Sequence, residues 1–189
     1  MDWVILDGSS KDNISARRVT DLLTRNLENK KITYNYFDLE DMNILACTGC
    51  GSCGSKTPGR CGFEDEIPSI IKAIANSKGI ILLTPITFGG YSSLLKKAVD
   101  KFTLIGLPLY TVKNGNLLHP MRYGYHNLIG VGVGKDTTEG QKQAFKLLIE
   151  RNALNMQSPH HKAITISLNN KSAEAENEIM DLVKEVSAW

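Results

Sequence analysis

The 189-residue chain predicts an α/β fold: a doubly wound parallel sheet of five strands in the order 2-1-3-4-5, with helices on both faces. Three observations predict it. Short apolar runs alternate five times with longer stretches of helical period, the pattern of strand, crossover helix and parallel strand. Four of the five strand runs read as buried, as strands covered on both faces are. The second alternates apolar with polar residues, which suits an edge, and the order 2-1-3-4-5 puts it there.

Trp3-Val4-Ile5-Leu6 is the first buried strand, ended by Gly8. A helix from about Ser15 to Leu27 carries Val19, Leu22, Leu23 and Leu27 on one stripe, and Ile32, Tyr34 and Tyr36 mark the alternating strand. A cysteine-rich loop, residues 47–61, then stands where a tight connection is expected. Helix resumes near Glu64, with Glu64, Asp65 and Glu66 favouring the helix dipole, Pro68 tolerated in the first turn, and Ile67, Ile70, Ile71 and Ile74 inward. Residues 79–83 form a buried strand, and the loop 84–90 leads to a helix with Leu95, Ala98, Val99 and Phe102 on its stripe. Residues 107–125 keep no single period; Asn114-Gly115 signals a hairpin turn, and an insertion of this length marks a functional loop or an oligomer contact. A buried strand at 128–133, a helix at 138–152, a strand at 161–167 and a helix at 173–186 close the chain, which reads as a single domain over 1–189.

Composition removes several function classes. The 22 basic and 20 acidic residues are scattered, leaving a net charge of +2 without a basic run, so nucleic acid is not an expected partner. No apolar run approaches the ~18–20 residues of a membrane span, and the N-terminal run is too short and lacks the basic leader of a signal peptide. The expected location is the cytoplasm, where clustered thiols bind metal or do redox chemistry more often than they form disulfides.

Every cysteine falls within one stretch: Cys47, Cys50, Cys53 and Cys61, spaced C-x2-C-x2-C-x7-C. Gly49, Gly51, Ser52 and Gly54 let the backbone bend so that three thiols converge, and the Pro58-Gly59 turn brings Cys61 back as a fourth ligand. The C-x2-C-x2-C run is the one bacterial ferredoxins wrap around an iron–sulfur cluster, and structural zinc sites more often use two separated knuckles. A cluster is the favoured reading; zinc and a metal-free thiol loop remain open. The histidines, His119, His126, His160 and His161, lie outside the loop and lack the spaced partners of a metal site.

In a doubly wound sheet the ligand sits beyond the carboxyl ends of the strands, at the switch point between strands 1 and 3. Three loops lie there. Residues 8–16 join a buried strand to a helix N-terminus and offer Ser9, Lys11, Asn13, Ser15 and backbone N–H groups to an anion, or simply cap the helix. G-x4-G-K-[ST] is absent and no G-x-G-x-x-G follows the first strand, which disfavours a nucleoside triphosphate or a Rossmann-bound dinucleotide and leaves a monophosphate. Pro85, Phe88, Gly89 and Gly90 allow a flat ring to approach backbone, and Gly130, Gly132 and Gly134 before Lys135 keep side chains away from the same end.

Gly8-Ser9-Ser10-Lys11 with Asn13 and Ser15, followed by residues 84–90 running into Ser92-Ser93-Leu94-Leu95-Lys96, resemble the flavin loops of the NADPH-dependent FMN reductase family, which is flavodoxin-like. With the four-cysteine motif the chain looks most like the iron–sulfur flavoproteins of anaerobic archaea and bacteria, over roughly residues 4–168. The resemblance implies FMN, its phosphate held by Ser9, Lys11, Asn13, Ser15 and the Ala16 amide, and its ring along Pro85, Ile86, Thr87, Phe88 and Gly89 and near Gly132, Gly134 and Lys135. It also implies a 4Fe-4S cluster on Cys47, Cys50, Cys53 and Cys61, and a homodimer or homotetramer in which one subunit's cluster lies near another's flavin. The family commonly has an aromatic residue where Thr87 stands, a place Phe88 or Tyr91 would cover, and an arginine where Lys11 stands.

The function this implies is electron exchange between FMN and the cluster, with NAD(P)H as a donor and ferredoxin or a small molecule as redox partner; no catalytic acid or base is nominated. Two other readings stand beside it: an NAD(P)H-dependent FMN or quinone reductase without a cluster, and a zinc-stapled binding module. Arg122, Tyr123 and Tyr125 are expected at a subunit contact or over the flavin.

Overall fold

The computed structural model describes residues 2–167 and 172–189; Leu168, where the resemblance ends, lies outside them. Strand β1 (Trp3–Asp7) is followed by α1 (Ile14–Asn29), β2 (Tyr34–Asp38), α2 (Ile67–Ala75), β3 (Gly79–Pro85) and α3 (Ser93–Val99), which continues as a 3-10 helix over Asp100–Ile105. A short hairpin, β4 (Thr111–Lys113) and β5 (Asn116–Leu118), precedes β6 (Asn127–Gly134), α4 (Glu139–Met156), β7 (His161–Ser167) and α5 (Ser172–Val186).

The main sheet is parallel throughout, with five strands in the order β2-β1-β3-β6-β7. In chain numbering this is 2-1-3-6-7 where 2-1-3-4-5 was expected, because residues 107–125 contribute two strands that pair only with each other. Asn114 and Gly115, at φ 49° and 75°, form their turn, which matches the Asn-Gly signal. The edge strand β2 is half-buried, whereas β1, β3 and β6 are buried along nearly their whole length.

Period 2 divides the strand residues between two cores. Val4, Leu6, Ile80, Leu82 and Leu128 pack beneath α2, α3 and α4 with Ile70, Ile74, Leu95, Phe145 and Ile149. Ile5, Ile81, Leu83, Ile129 and Val131 pack beneath α1 and α5 with Leu23, Leu27, Leu182 and Val183. Gly130 and Gly132 alternate with Ile129 and Val131 and face α4. A Cβ on Gly130 would stand 2.4 Å from Ile149, and one on Gly132 would stand 2.8 Å from Ile86 and 2.9 Å from Phe145. Their missing side chains therefore serve close packing of α4 and of the loop after β3. No helix among the described residues is long and apolar enough to cross a membrane.

Helix α2 begins at Ile67 rather than near Glu64, so the three acidic residues precede it. Asn13 caps α1, its side chain accepting from the Ala16 amide at 3.0 Å, and Thr138 and Gln141 form a reciprocal capping box on α4.

Candidate functional site

The carboxyl ends of β1, β3 and β6 are locked together by hydrogen bonds between their loops. Gly8 N–H donates to Leu83 O at 2.8 Å, and Ile86 N–H to Val133 O at 2.8 Å. Ser92, the N-cap of α3, donates from its hydroxyl to Gly8 O at 2.7 Å, and its own N–H donates to Thr84 Oγ1 at 2.9 Å. A Cβ on Gly8 would lie 2.6 Å from both Leu95 Cβ and Ser92 Oγ, so glycine is what permits this approach.

Under the first loop, the buried Asp7 carboxylate gathers the polar groups of three elements. It accepts from Ser9 N at 2.8 Å, Thr20 Oγ1 at 2.7 Å and Tyr36 OH at 2.8 Å, with Arg17 Nη1 at 3.5 Å. Arg17 also donates to Ser9 O and to Asp38 Oδ1, each at 2.9 Å. Its bond to Asp38, opposed by partial burial, holds the guanidinium firmly charged. Burial would raise the Asp38 carboxyl, but Arg17 and the Glu40 N–H together outweigh it and the group lies below its ordinary value. Burial, then the Asp7 charge, pushes the Tyr36 phenol well above its ordinary range. Sequence reasoning missed Asp7, Arg17 and Tyr36 as one unit; the visible signal was a charged residue at the inner end of a buried strand.

The residues expected at a phosphate are gathered on this loop in different states. Ser9 Oγ is buried and has no hydrogen-bond partner, a polar atom that a phosphate oxygen would satisfy. Lys11 is folded toward Asp41, and its N–H donates to Glu40. That ion pair is largely exposed, the kind that contributes little, so it can be exchanged for an anion. Asn13 and the Ala16 N–H are bonded to each other, while Ser15 is exposed on the first turn. The set fits a phosphate through Ser9, Lys11 and Ser15, with Asn13 and Ala16 fixing the helix start.

In the second loop, Thr87 and Gly90 exchange N–H···O bonds of 3.0 and 2.8 Å around a tight turn. Phe88 and Gly89 take positive φ, 50° and 83°, and Phe88 is 94% exposed. A bulky residue held left-handed with its ring in solvent is an outlier of the kind found at ligand sites. Tyr91 turns inward instead, its hydroxyl accepting from Asn152 at 2.6 Å, so of the two aromatics expected to cover the place of Thr87, Phe88 is at the surface. Pro85 and Ile86 are partly buried, a Cβ on Gly89 would stand 2.9 Å from Ala144 on α4, one on Gly134 would collide with Thr137, and Lys135 is exposed.

All four cysteines line one small cavity of about 30 Å³, closed by Phe63, Lys101, Thr103 and Leu104. Among the described residues, no three His, Cys, Asp or Glu side chains are grouped to hold a single metal ion. A 4Fe-4S cluster takes one thiolate at each of its irons, so its ligands surround a volume rather than converge on a point, and four cysteines bordering one cavity supply the donor set it needs. Cys47 and Cys50 are exposed, Cys53 and Cys61 half-buried. Hydrogen bonding to the Ser52 side chain, 3.5 Å from Cys50 Sγ, lowers the Cys50 thiol toward the thiolate that ligates metal.

The loop is shaped by its own backbone. Thr57 N–H donates to Ser52 O at 2.8 Å and Gly59 N–H to Cys53 O at 2.9 Å, and the Arg122 guanidinium closes over Gly59. Asp65 and Glu66 act as anchors rather than mainly on the helix dipole. Asp65 accepts from Leu45 N at 2.9 Å and Ile67 N at 3.1 Å and pairs with Lys101; Glu66 accepts from Asn43 N at 2.6 Å. On the far side of Cys53, a cavity of about 630 Å³ opens toward the hairpin, lined by Phe102, Leu107, Leu117, Met121 and Met156.

A family model described as NADPH-dependent FMN reductase matches residues 1–167. An iron–sulfur flavoprotein of Methanocaldococcus jannaschii is 30% identical over 115 residues, 59% of this chain and 50% of that protein. One from Archaeoglobus fulgidus is 26% identical over 128 residues, 68% of this chain and 54% of that protein. These alignments span about half the length of the curated relatives. Among solved structures, the NAD(P)H:quinone oxidoreductase from Methanothermobacter marburgensis has a TM-score of 0.70 at 11% identity, covering 99% of this chain and 97% of its own. An FMN-dependent NADH-azoreductase from Bacillus anthracis in complex with FMN has a TM-score of 0.66 at 10% identity, covering 100% and 98%. At such identities the likeness shows the fold.

Proposed function

The chain belongs to the NADPH-dependent FMN reductase family, and from that premise we propose that it is a cytoplasmic FMN-dependent oxidoreductase in which a 4Fe-4S cluster exchanges electrons with FMN. The observation that carries the finer part is the single cavity shared by Cys47, Cys50, Cys53 and Cys61, supported by the iron–sulfur flavoprotein names of the relatives. Bound FMN supplies two-electron chemistry and a cluster supplies one-electron transfer. The chain binds and orients. Ser9, Lys11 and Ser15 hold the phosphate on the loop that Asp7 and Arg17 fix from beneath; the turn at 87–90 presents backbone to the ring; the four thiolates hold the cluster.

NAD(P)H is the proposed donor, and ferredoxin or a small molecule the redox partner. A homodimer or homotetramer would cover the apolar hairpin, where Leu109, Tyr110, Val112 and Leu117 are exposed. A second reading, an NAD(P)H-dependent FMN or quinone reductase without a cluster, is favoured by the exposure of Cys47 and Cys50. Two variants separate the sites. Cys50→Ala is expected to lose iron and keep FMN, and Ser15→Asp to weaken FMN, by charge repulsion at the phosphate, while keeping iron. Iron and flavin lost together from a folded variant would contradict the partition, and iron absent from the parent protein after anaerobic reconstitution would favour the second reading.

A further inference from the structure

Lys101 is a charged residue in an uncommon place. It lies in the 3-10 helix after α3, 2% exposed, and it borders the cavity of the four cysteines. Its ammonium pairs with the Asp65 carboxylate, whose side chain is fully buried and which does not line that cavity. Burying two charges is expensive, and apolar residues of similar volume commonly serve stability as well or better, so stability alone is a weak reason for the pair. Holding the loop is a weak reason for Lys101 too. The bonds that reach the loop entrance and the start of α2, to Leu45 and Ile67, are made by Asp65. Asp65 takes one of the three N–H bonds an ammonium offers, and of the two residues it is Lys101 that borders the cavity of the cysteines.

From this arrangement we infer that Lys101 is a potential-setting residue: a buried cation, held by Asp65 against the cysteine cavity, that favours the more negatively charged state of a thiolate-bound cluster. The inference rests on the cluster reading above. Four thiolates make a cluster site net negative, and one-electron reduction adds a further negative charge. A positive charge nearby in a medium of low dielectric stabilises the reduced state more than the oxidised one and so raises the potential. Asp65, set further back, moderates that field. The two members of the pair therefore act on the potential with opposite signs, which a purely structural pair would not do.

The test is an EPR-monitored redox titration of the anaerobically reconstituted protein carrying both FMN and iron. Lys101→Met is expected to shift the cluster potential downward, Asp65→Asn upward, and Lys101→Arg to leave it near the parent value. Should Lys101→Met fail to fold, the double variant Lys101→Met/Asp65→Asn, which strands no buried charge, must still lie below the parent. An unchanged potential at full iron content, or shifts of one sign in both single variants, would overturn the role of Lys101 and leave the cluster reading intact. A parent protein that takes up FMN but no iron would overturn the cluster reading, and this role with it.

Discussion

The loop after β1 and the cysteine loop hang from the same sheet, yet they are held in opposite ways. Residues 7–9 are buried, bonded to α1, β2, β3 and α3, and tolerate no added carbon at Gly8. Residues 47–61 are mostly exposed and glycine-rich, shaped by a few bonds of their own and anchored at their borders by Asp65, Glu66 and Arg122. The first region is preorganised before any ligand arrives. The second has its four cysteines along one small cavity, and thiolate ligation commonly contributes folding energy where the bare loop has little.

The contrast is broken most directly at Asp7. Asp7→Ala would strand Thr20, Tyr36 and the Arg17 charge without their shared acceptor, and the expected loss is about 3–5 kcal/mol of folding stability, read as a lower urea midpoint. A loss no larger than that of an exposed-site substitution would show that the first loop is not rigidly held. Gly8→Ala is the next effect. Its Cβ would fall 2.6 Å from Leu95 and Ser92, prising apart the loops after β1 and β3 at a cost of about 1–3 kcal/mol. FMN affinity should fall while iron content stays, and equal loss of both would mean that the two regions are one cooperative unit.

The smallest effect is at the opposite end of the sheet. His126 is 4% exposed and its Nδ1 lies 3.0 Å from Ser77 O; burial lowers its affinity for a proton below the ordinary value of 6.5. The unfolded chain then takes up the proton first, so this contribution is full above the ordinary value and is lost as pH falls below it. Thermal stability should decline below about pH 6.5 and decline less in His126→Gln, with flavin and iron binding untouched at neutral pH. An equal decline in the variant would assign the acid sensitivity to other groups.

The fold was largely legible because burial on both faces makes β1, β3 and β6 continuous apolar runs, and because the Asn114-Gly115 turn has a local cause. The cysteine motif was legible for the same reason: its spacing is local. What escaped depended on partners far along the chain. Asp65 looked like a helix-dipole residue because Lys101, 36 positions away, is brought to it only by the packing of α2 against the helix after α3. Arg17 carried no local signal, since Asp38 reaches it only across the β1–β2 pairing. Gly132 read as room for a ligand, and Ile86 and Phe145 fill that room.

The proposed function puts FMN on the rigid loops and a cluster on the cysteine loop of one chain. The most direct measurement is the visible absorption spectrum of the anaerobically purified protein, with flavin, iron, sulfide and zinc quantified on the same sample. Flavin bands over a broad cluster shoulder are expected, with about one FMN and about four irons per chain. Flavin without iron, persisting after reconstitution, or zinc in place of iron and no flavin, would contradict it.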